Sequence, residues 1–478
     1  MKQDHIIQKV FVEITVNNKE KALSIKEDIN SFLSVDVFPQ IEKYINALEY
    51  KLEGHTLQIP RLELDMNVKS SSLNTELKDK IVQLFEEQLS EMTKIDQETE
   101  SNSEAYWVNK QEKLIQTFIH FLEKGSMPWW CSDKKGISFL EPDIFDAMIQ
   151  AANFEKSMIS VLSKQYVQNR IINQLSDDQI AQLCLIVLKN KELKICLDPD
   201  IINRISKLRH RDRFIIWNLV LNGLSAYLNS SKSNLQEYIV QHISKIETAD
   251  FLQVKTIRQN LKTIIKIFPF IKENEILESI KNSITNVSEN TEKTSPETFY
   301  QENEIVYEDL SPDNEGQYIQ NAGLILIHPF LKTFFEHCNL IHPKTQQLTD
   351  PELCAHLLHY IATGTTNAPE SDMIFEKFLC NIPMNQSINR HIKLSRKHKT
   401  QAKNLIESVQ HNWKPMKKSS VALLQNEFFQ RSGKLVISNH DDTLTVERKT
   451  QDILLDKLAW GISLVKLPWK ENFMFVNW

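Results

Sequence analysis

Glycine is the first scarcity, at 9 residues in 478. Glycine-rich phosphate loops need several glycines at close spacing, and large all-β folds use them at turns, so both are disfavoured. Long apolar runs are also missing. Stretches such as Gly323-Leu-Ile-Leu-Ile-His328 fall far short of the ~20 residues that cross a bilayer. Met1-Lys-Gln-Asp-His5 carries no apolar stretch of the secretory kind, so a soluble, cytoplasmic protein is expected. The six cysteines (Cys131, Cys184, Cys196, Cys338, Cys354, Cys380) stand singly without a CxxC pair. That pattern indicates neither a disulfide framework nor a thiolate zinc site. A basic excess is lacking as well, since 56 Lys and Arg against 62 Asp and Glu give a formal charge of -6. Nonspecific nucleic-acid binding needs a basic stripe, and this balance does not suggest one.

What remains is ordinary globular material, 41% hydrophobic and 25% charged. A chain of this length is enough for roughly three domains at about 150 residues each. Val10, Val12, Ile14 and Val16 alternate with Phe11, Glu13 and Thr15, the period of a half-buried strand. Ala22, Ile25, Ile29 and Phe32 follow at helical spacing, and Pro39 interrupts or restarts the helix before Ile41, Tyr44, Ile45 and Leu48 continue the stripe. A second strand is expected over residues 57–68, its parity switching at Pro60-Arg61. Two strands alone are marginal, so this sheet needs strands from another copy or another part of the chain. Helices are expected over 73–95 and around Leu114 to Leu122, the latter capped by Gly125 before Met127-Pro-Trp-Trp130.

From about 140 to 283 the pattern is one short helix after another, for example Ile144 to Ala152, Met158 to Ile171 and Phe214 to Leu228. Residues 282–317 lose apolar periodicity and become acidic, as an interdomain linker does. Helices then resume around 328–339, 351–363, 371–379, 397–413 and 418–430. A hairpin of Leu435–Ile437 and Leu444–Val446 and strands over 462–467 and 473–478 close the chain. The expected fold is mainly α with α+β ends: an N-terminal strand-helix-strand unit, a central helical array, and a C-terminal helical domain ending in a small antiparallel sheet. The expected domains are 1–96, 105–283, an acidic linker at 284–317, and 318–478.

Chemistry has little footing. Cys354-x-His356-x-x-His359 is the best metal candidate, because residues three apart share a helix face. Zinc wants three or four ligands, and Leu357-Leu358 and Tyr360 fit an ordinary core helix with histidines at its edge. No GxSxG, Walker loop, GxGxxG or HExxH occurs. Neither catalysis nor a metal or cofactor is therefore expected. In Leu62-Glu-Leu-Asp65 the two acids, Glu63 and Asp65, share one side of a strand and suit partner contact. Trp129, Trp130, Trp460 and Trp469 are either core anchors or interface hot spots, and sequence alone does not separate the two.

An ordered series of motifs adds to this reading. It includes His5-Ile-Ile-Gln-Lys9, Ile59-Pro-Arg-Leu-Glu-Leu-Asp65, Phe121-Leu-Glu-Lys-Gly125 and Pro128-Trp-Trp130. It is densest in Asn321-Ala-Gly-Leu-Ile-Leu-Ile-His-Pro-Phe-Leu331, His356-Leu-Leu-His-Tyr-Ile-Ala-Thr-Gly364 and Phe378-Leu-Cys-Asn-Ile-Pro383. Arg431-Ser-Gly-Lys-Leu435, Val446-Glu-Arg-Lys449, Trp460-Gly-Ile-Ser463 and Leu467-Pro-Trp469 complete it. Together these resemble the contractile injection system tape measure protein family. The resemblance implies a phage-tail-like contractile particle whose tube and sheath length such a protein helps to set. It implies tube, hub or baseplate subunits as partners. The marginal N-terminal sheet makes a second copy of the chain a further candidate. The charge balance and short apolar runs lead to the expectation of no nucleic acid and no membrane. Residence would be cytoplasmic and then within the assembled particle. The alternative role is an adaptor or chaperone that loads other particle components. The family offers no catalytic or metal residues to carry over.

Overall fold

A computed structural model of the chain describes residues 6–8, 10–16, 18–48, 55–66, 73, 75–92, 106–131, 139–189, 191–193, 195–229, 236–237, 239–241, 262–272, 274, 316–438 and 440–478. Contacts divide it into two units, residues 1–118 with 128–139, and residues 119–127 with 140–478.

The first unit is built on an apolar stripe at helical spacing. Helix α1 (Lys19–Phe32) leads into a π-turn (Leu33–Val37) and helix α2 (Phe38–Leu48). Pro39 stands in the first turn of α2, the restart that the sequence offers as one of its two readings, and the Phe38 N–H of the preceding wider turn donates to the Leu33 carbonyl. Phe32, Val37 and Ile41 are buried here, with Leu77, Ile81, Val82 and Phe85 of helix α3 (Thr75–Met92) packed against them. Strand β1 (Thr56–Gln58) pairs antiparallel with β2 (Tyr106–Val108). The expected strand over residues 10–16 does not form, and its described residues lie outside any ladder with Val10, Phe11, Val12 and Ile14 exposed. An alternating pattern makes a strand only where a neighbour supplies hydrogen bonds, and here β1 pairs with β2 instead. Residues 59–66 likewise carry no strand beyond β1.

Helix α4 (Lys110–Lys124) starts in the first unit, where Asn109 Oδ1 accepts from the Glu112 N–H, and ends in the second at Gly125. Gly125 adopts φ +76 and its N–H donates to the Phe121 carbonyl, the left-handed cap expected from sequence.

The second unit continues with α5 (Pro142–Ile149), α6 (Phe154–Leu162), α7 (Gln165–Gln174), α8 (Asp177–Val187), α9 (Pro199–Ser206) and α10 (His210–Asn229). The single helix expected from Met158 to Ile171 is two, because the chain leaves helical geometry at Lys164 (ψ 119). A capping box of Ser176 and Gln179 starts α8, and Asp198 caps α9. Helical residues at 239–241 and 262–267 fall within the run of short helices expected from about 140 to 283, much of whose later part lies outside the described residues.

Asn321, in the left-handed region at φ 56, turns strand β3 (Gln317–Ile319) into a wholly buried 3-10 segment, Ala322–Ile327. A Cβ on Gly323 would sit 1.6 Å from the Phe428 carbonyl oxygen, so only glycine fits that crossing. Helices α11 (His328–His337), α12 (Pro351–Thr363), α13 (Ile374–Leu379), α14 (Arg396–Asn412) and α15 (Val421–Leu424) follow. Strands β4 (Gly433–Val436), β5 (Asp441–Val446), β6 (Leu464–Val465) and β7 (Phe473–Asn477) join β3 in the order β3-β4-β5-β7-β6. The sheet is mixed rather than antiparallel, since β5 and β7 run parallel. The long connection through 3-10 segment Thr450–Lys457 and β6 allows this, because a parallel neighbour needs a crossover that a tight hairpin cannot make. Leu435, Leu444, Val446, Val465, Met474 and Val476 alternate inward to form its buried face.

Candidate functional site

The core of the second unit holds charge as well as apolar surface. Arg170 of α7, Glu370 of the 3-10 segment Glu370–Met373 and Lys377 of α13 are each fully buried. Arg170 Nε donates to Glu370 Oε2 at 3.1 Å, and Lys377 Nζ donates to Glu370 Oε1 at 2.6 Å. The remaining donors are also used. Arg170 reaches the Leu122 carbonyl at 2.6 Å and the Asn385 carbonyl at 2.7 Å. Lys377 reaches the Met384 carbonyl at 3.0 Å and the Gln386 carbonyl at 2.6 Å. The Glu370 N–H donates to Gln174 Oε1 at 2.9 Å. Burial pushes the Lys377 ammonium below its ordinary range, and the Glu370 carboxylate opposes that shift.

The same surfaces are fastened by neutral contacts. Asn173 Nδ2 donates to Ser387 Oγ at 2.9 Å, Gln174 Nε2 to the Ile388 carbonyl at 2.7 Å, and the Arg390 N–H to the Asn173 carbonyl at 3.0 Å. Leu122 and the end of α7 (Arg170, Asn173, Gln174) are thus clamped to residues 370–390. Gly125 lies against the clamp, and a Cβ there would approach Glu370 Oε1 to 2.5 Å.

A second buried cluster sits beside it. Asp177 Oδ1 accepts from Arg213 Nε at 2.7 Å and from Trp217 Nε1 at 2.6 Å. Two further N–H groups of Arg213 go to the Ile172 and Leu175 carbonyls. A cleft of about 580 Å³ opens here, with His210, His391 and Lys393 among its walls. Burial holds both imidazoles below their ordinary range, and the Arg213 charge adds to the effect.

The two helical histidines of the metal candidate are both buried, but they face different acceptors. His356 Nε2 meets the Asn389 carbonyl at 2.8 Å, while His359 Nδ1 meets Glu376 Oε1 at 3.0 Å. Asn321 Nδ2 donates to the same Glu376 oxygen at 2.8 Å. Among the described residues, no group of three or more His, Cys, Asp or Glu is placed to hold an ion.

The partner-contact candidates separate by environment. In the first unit, Trp129 is 39% exposed and lies edge-on to half-buried Trp130, their rings 5.7 Å apart. Glu63 and Asp65 are exposed while Leu62, Leu64 and Met66 are half-buried, and Glu63 pairs with Arg61. In the second unit Trp469 is buried, donating to the Leu379 carbonyl at 2.7 Å. Trp460 is half-buried, donating to the Leu326 carbonyl at 3.0 Å and meeting Phe330 edge-on. These two tryptophans act as core anchors whose polar edge finds a carbonyl.

Sequence reading missed the clamp. Its members are 200 positions apart, and charges in helices usually lie on solvated faces. One signal was present: Ile374-Phe-Glu-Lys-Phe-Leu379 sets two charges inside an otherwise apolar hexad.

No curated protein and no solved structure matches the chain. A family model does, over residues 4–478, and it is described as contractile injection system tape measure protein.

Proposed function

The chain belongs to the contractile injection system tape measure protein family, and from that premise we propose that it works as a folded assembly component that starts tube assembly or helps set tube and sheath length. The observation that carries the reading is the buried clamp. A ruler acts by extension, and as one helix this chain would reach ~700 Å at 1.5 Å per residue. Drawing it out would strip Arg170, Glu370 and Lys377 of their partners and separate residues that are far apart in sequence. The 20 residues of α10 span only ~30 Å.

On this reading the protein is structural rather than enzymatic. Tube and sheath follow from the family as partners, and hub or baseplate subunits and a second copy are the finer candidates. The chain would meet them in the cytoplasm and then within the particle. Among the described residues no helix is long and apolar enough to cross a membrane. Exposed Trp129 favours a second reading, an adaptor that docks other components through the first unit.

A strain carrying a chain that lacks residues 284–313 tests the folded reading. A helical ruler would shorten by ~45 Å, whereas a folded component leaves particle length at the wild-type value. Proportional shortening in electron micrographs would reject the folded reading.

A further inference from the structure

The chain-wide charge of -6 conceals a segment of the opposite sign. Between Lys393 and Lys418 there are eight Lys and Arg residues and one acid, Glu407. That segment carries +7, so the rest of the chain carries -13. It coincides with α14 and the turn that follows it. Ala402, Leu405, Ile406 and Val409 give α14 its buried face, which packs on α11 and α12. Lys393, Arg396, Lys397 and Lys403 are exposed, as are Lys414, Lys417 and Lys418.

The placement of cations in the first turn of α14 is not explained by stability. The first turn of α14 contains no acid and begins Arg396-Lys397-His398-Lys399. The positive end of a helix dipole repels cations, so charge there opposes the helix. Only Ser395, whose Oγ accepts from the His398 N–H at 3.1 Å, caps that end. Lys399 lies 5.4 Å from the centre of the Tyr360 ring and Lys403 pairs with Glu407 at 3.6 Å. Among the described residues, Lys393, Arg396 and Lys397 have no ion-pair partner.

We infer that this basic face of α14 is a docking surface for an acidic segment of a partner protein. A run of one sign along a rigid helix, its first turn charged against the helix dipole, complements negative charge and steers its approach. The acidic remainder of the chain favours a protein occupant. A nucleic-acid duplex longer than the patch would run against that opposing field, whereas an acidic peptide segment meets the patch alone.

Binding of fluorescein-labelled poly-L-glutamate to the full chain, followed by anisotropy at low and moderate salt, tests the inference. The wild-type chain should bind with an affinity that falls as salt rises. The triple variant Arg396→Gln, Lys397→Gln, Lys403→Gln should bind about tenfold more weakly, with a Tm unchanged or raised because first-turn cations have been removed. Absent binding, or equal binding by the variant, overturns the inference. Tighter binding of a short DNA duplex, lost in the same variant, would make the surface a nucleic-acid site instead. Stronger polyglutamate binding once residues 284–315 are deleted would assign the surface to the chain's own acidic stretch and also overturn it.

Discussion

Lys377 Nζ lies 2.6 Å from Glu370 Oε1, with both side chains fully buried. Glu370 is at once the counter-charge for Arg170, so one carboxylate balances two cations. Replacing a buried ionic cluster by apolar groups is often tolerated, whereas removing one partner leaves bare charge in a low dielectric. Glu370→Gln keeps the shape and strands both cations. It should lower stability by about 3–5 kcal/mol in urea unfolding. The triple change Arg170→Met, Glu370→Leu, Lys377→Met should recover a large part of that loss. A Glu370→Gln protein as stable as wild type would show that the clamp contributes nothing.

Glycine positions supply a paired test. Gly125→Ala places a methyl group 2.5 Å from Glu370 Oε1 at φ +76, and both effects oppose folding. A loss of about 2 kcal/mol or more is expected. A Cβ on Gly461 would meet no atom within 4 Å, so Gly461→Ala should stay within about 0.5 kcal/mol of wild type. Equal effects at the two sites would contradict the packing described around Gly125.

The tryptophans should divide the same way. Trp469→Ala and Trp413→Ala each empty a buried site and should cost about 3–5 kcal/mol. Trp129→Ala should change Tm little and should instead impair particle assembly in cells. A strongly destabilised Trp129→Ala protein would reassign that side chain to the fold.

Acid should weaken the second unit through His356. Burial lowers its pKa from 6.5, while the Asn389 carbonyl and Asp350 oppose the shift and His359 and His391 reinforce it. The folded state therefore prefers the neutral ring, and below pH 6.5 the unfolded chain binds the extra proton. Stability contributed by this ring is full above that pH and is lost as pH falls towards the folded value. Glu352, Asp372 and Asp442 are raised by burial and act in the opposite direction, binding protons preferentially in the folded state. The comparison is therefore between wild type and His356→Asn, by urea midpoint from pH 7.5 to 5.5. The variant should show the shallower loss towards acid, and identical slopes would exclude His356 as a contributor.

Helices were the most legible part of the fold, because a stripe such as Leu405, Ile406 and Val409 reports burial directly. Pro351 and Gly364 mark the ends of α12 in the sequence itself, as N-terminal proline and a left-handed glycine cap. Strands were harder, since alternation at Val10–Val16 records a preference and says nothing of a partner. The parallel pairing of β5 with β7 depends on the path of the intervening chain, which no local pattern encodes. The clamp was illegible for a related reason: Arg170 looks like a surface residue until Glu370 arrives from 200 positions away. The basic face of α14 could have been read from the sequence, but whole-chain charge averaged it away.

Electron microscopy of particles from a strain lacking this chain, scored for number and length, tests the central claim most directly. An assembly component of a contractile injection system predicts absent particles or a broad scatter of lengths. Particles of normal number and uniform wild-type length would contradict it and leave the adaptor reading in its place.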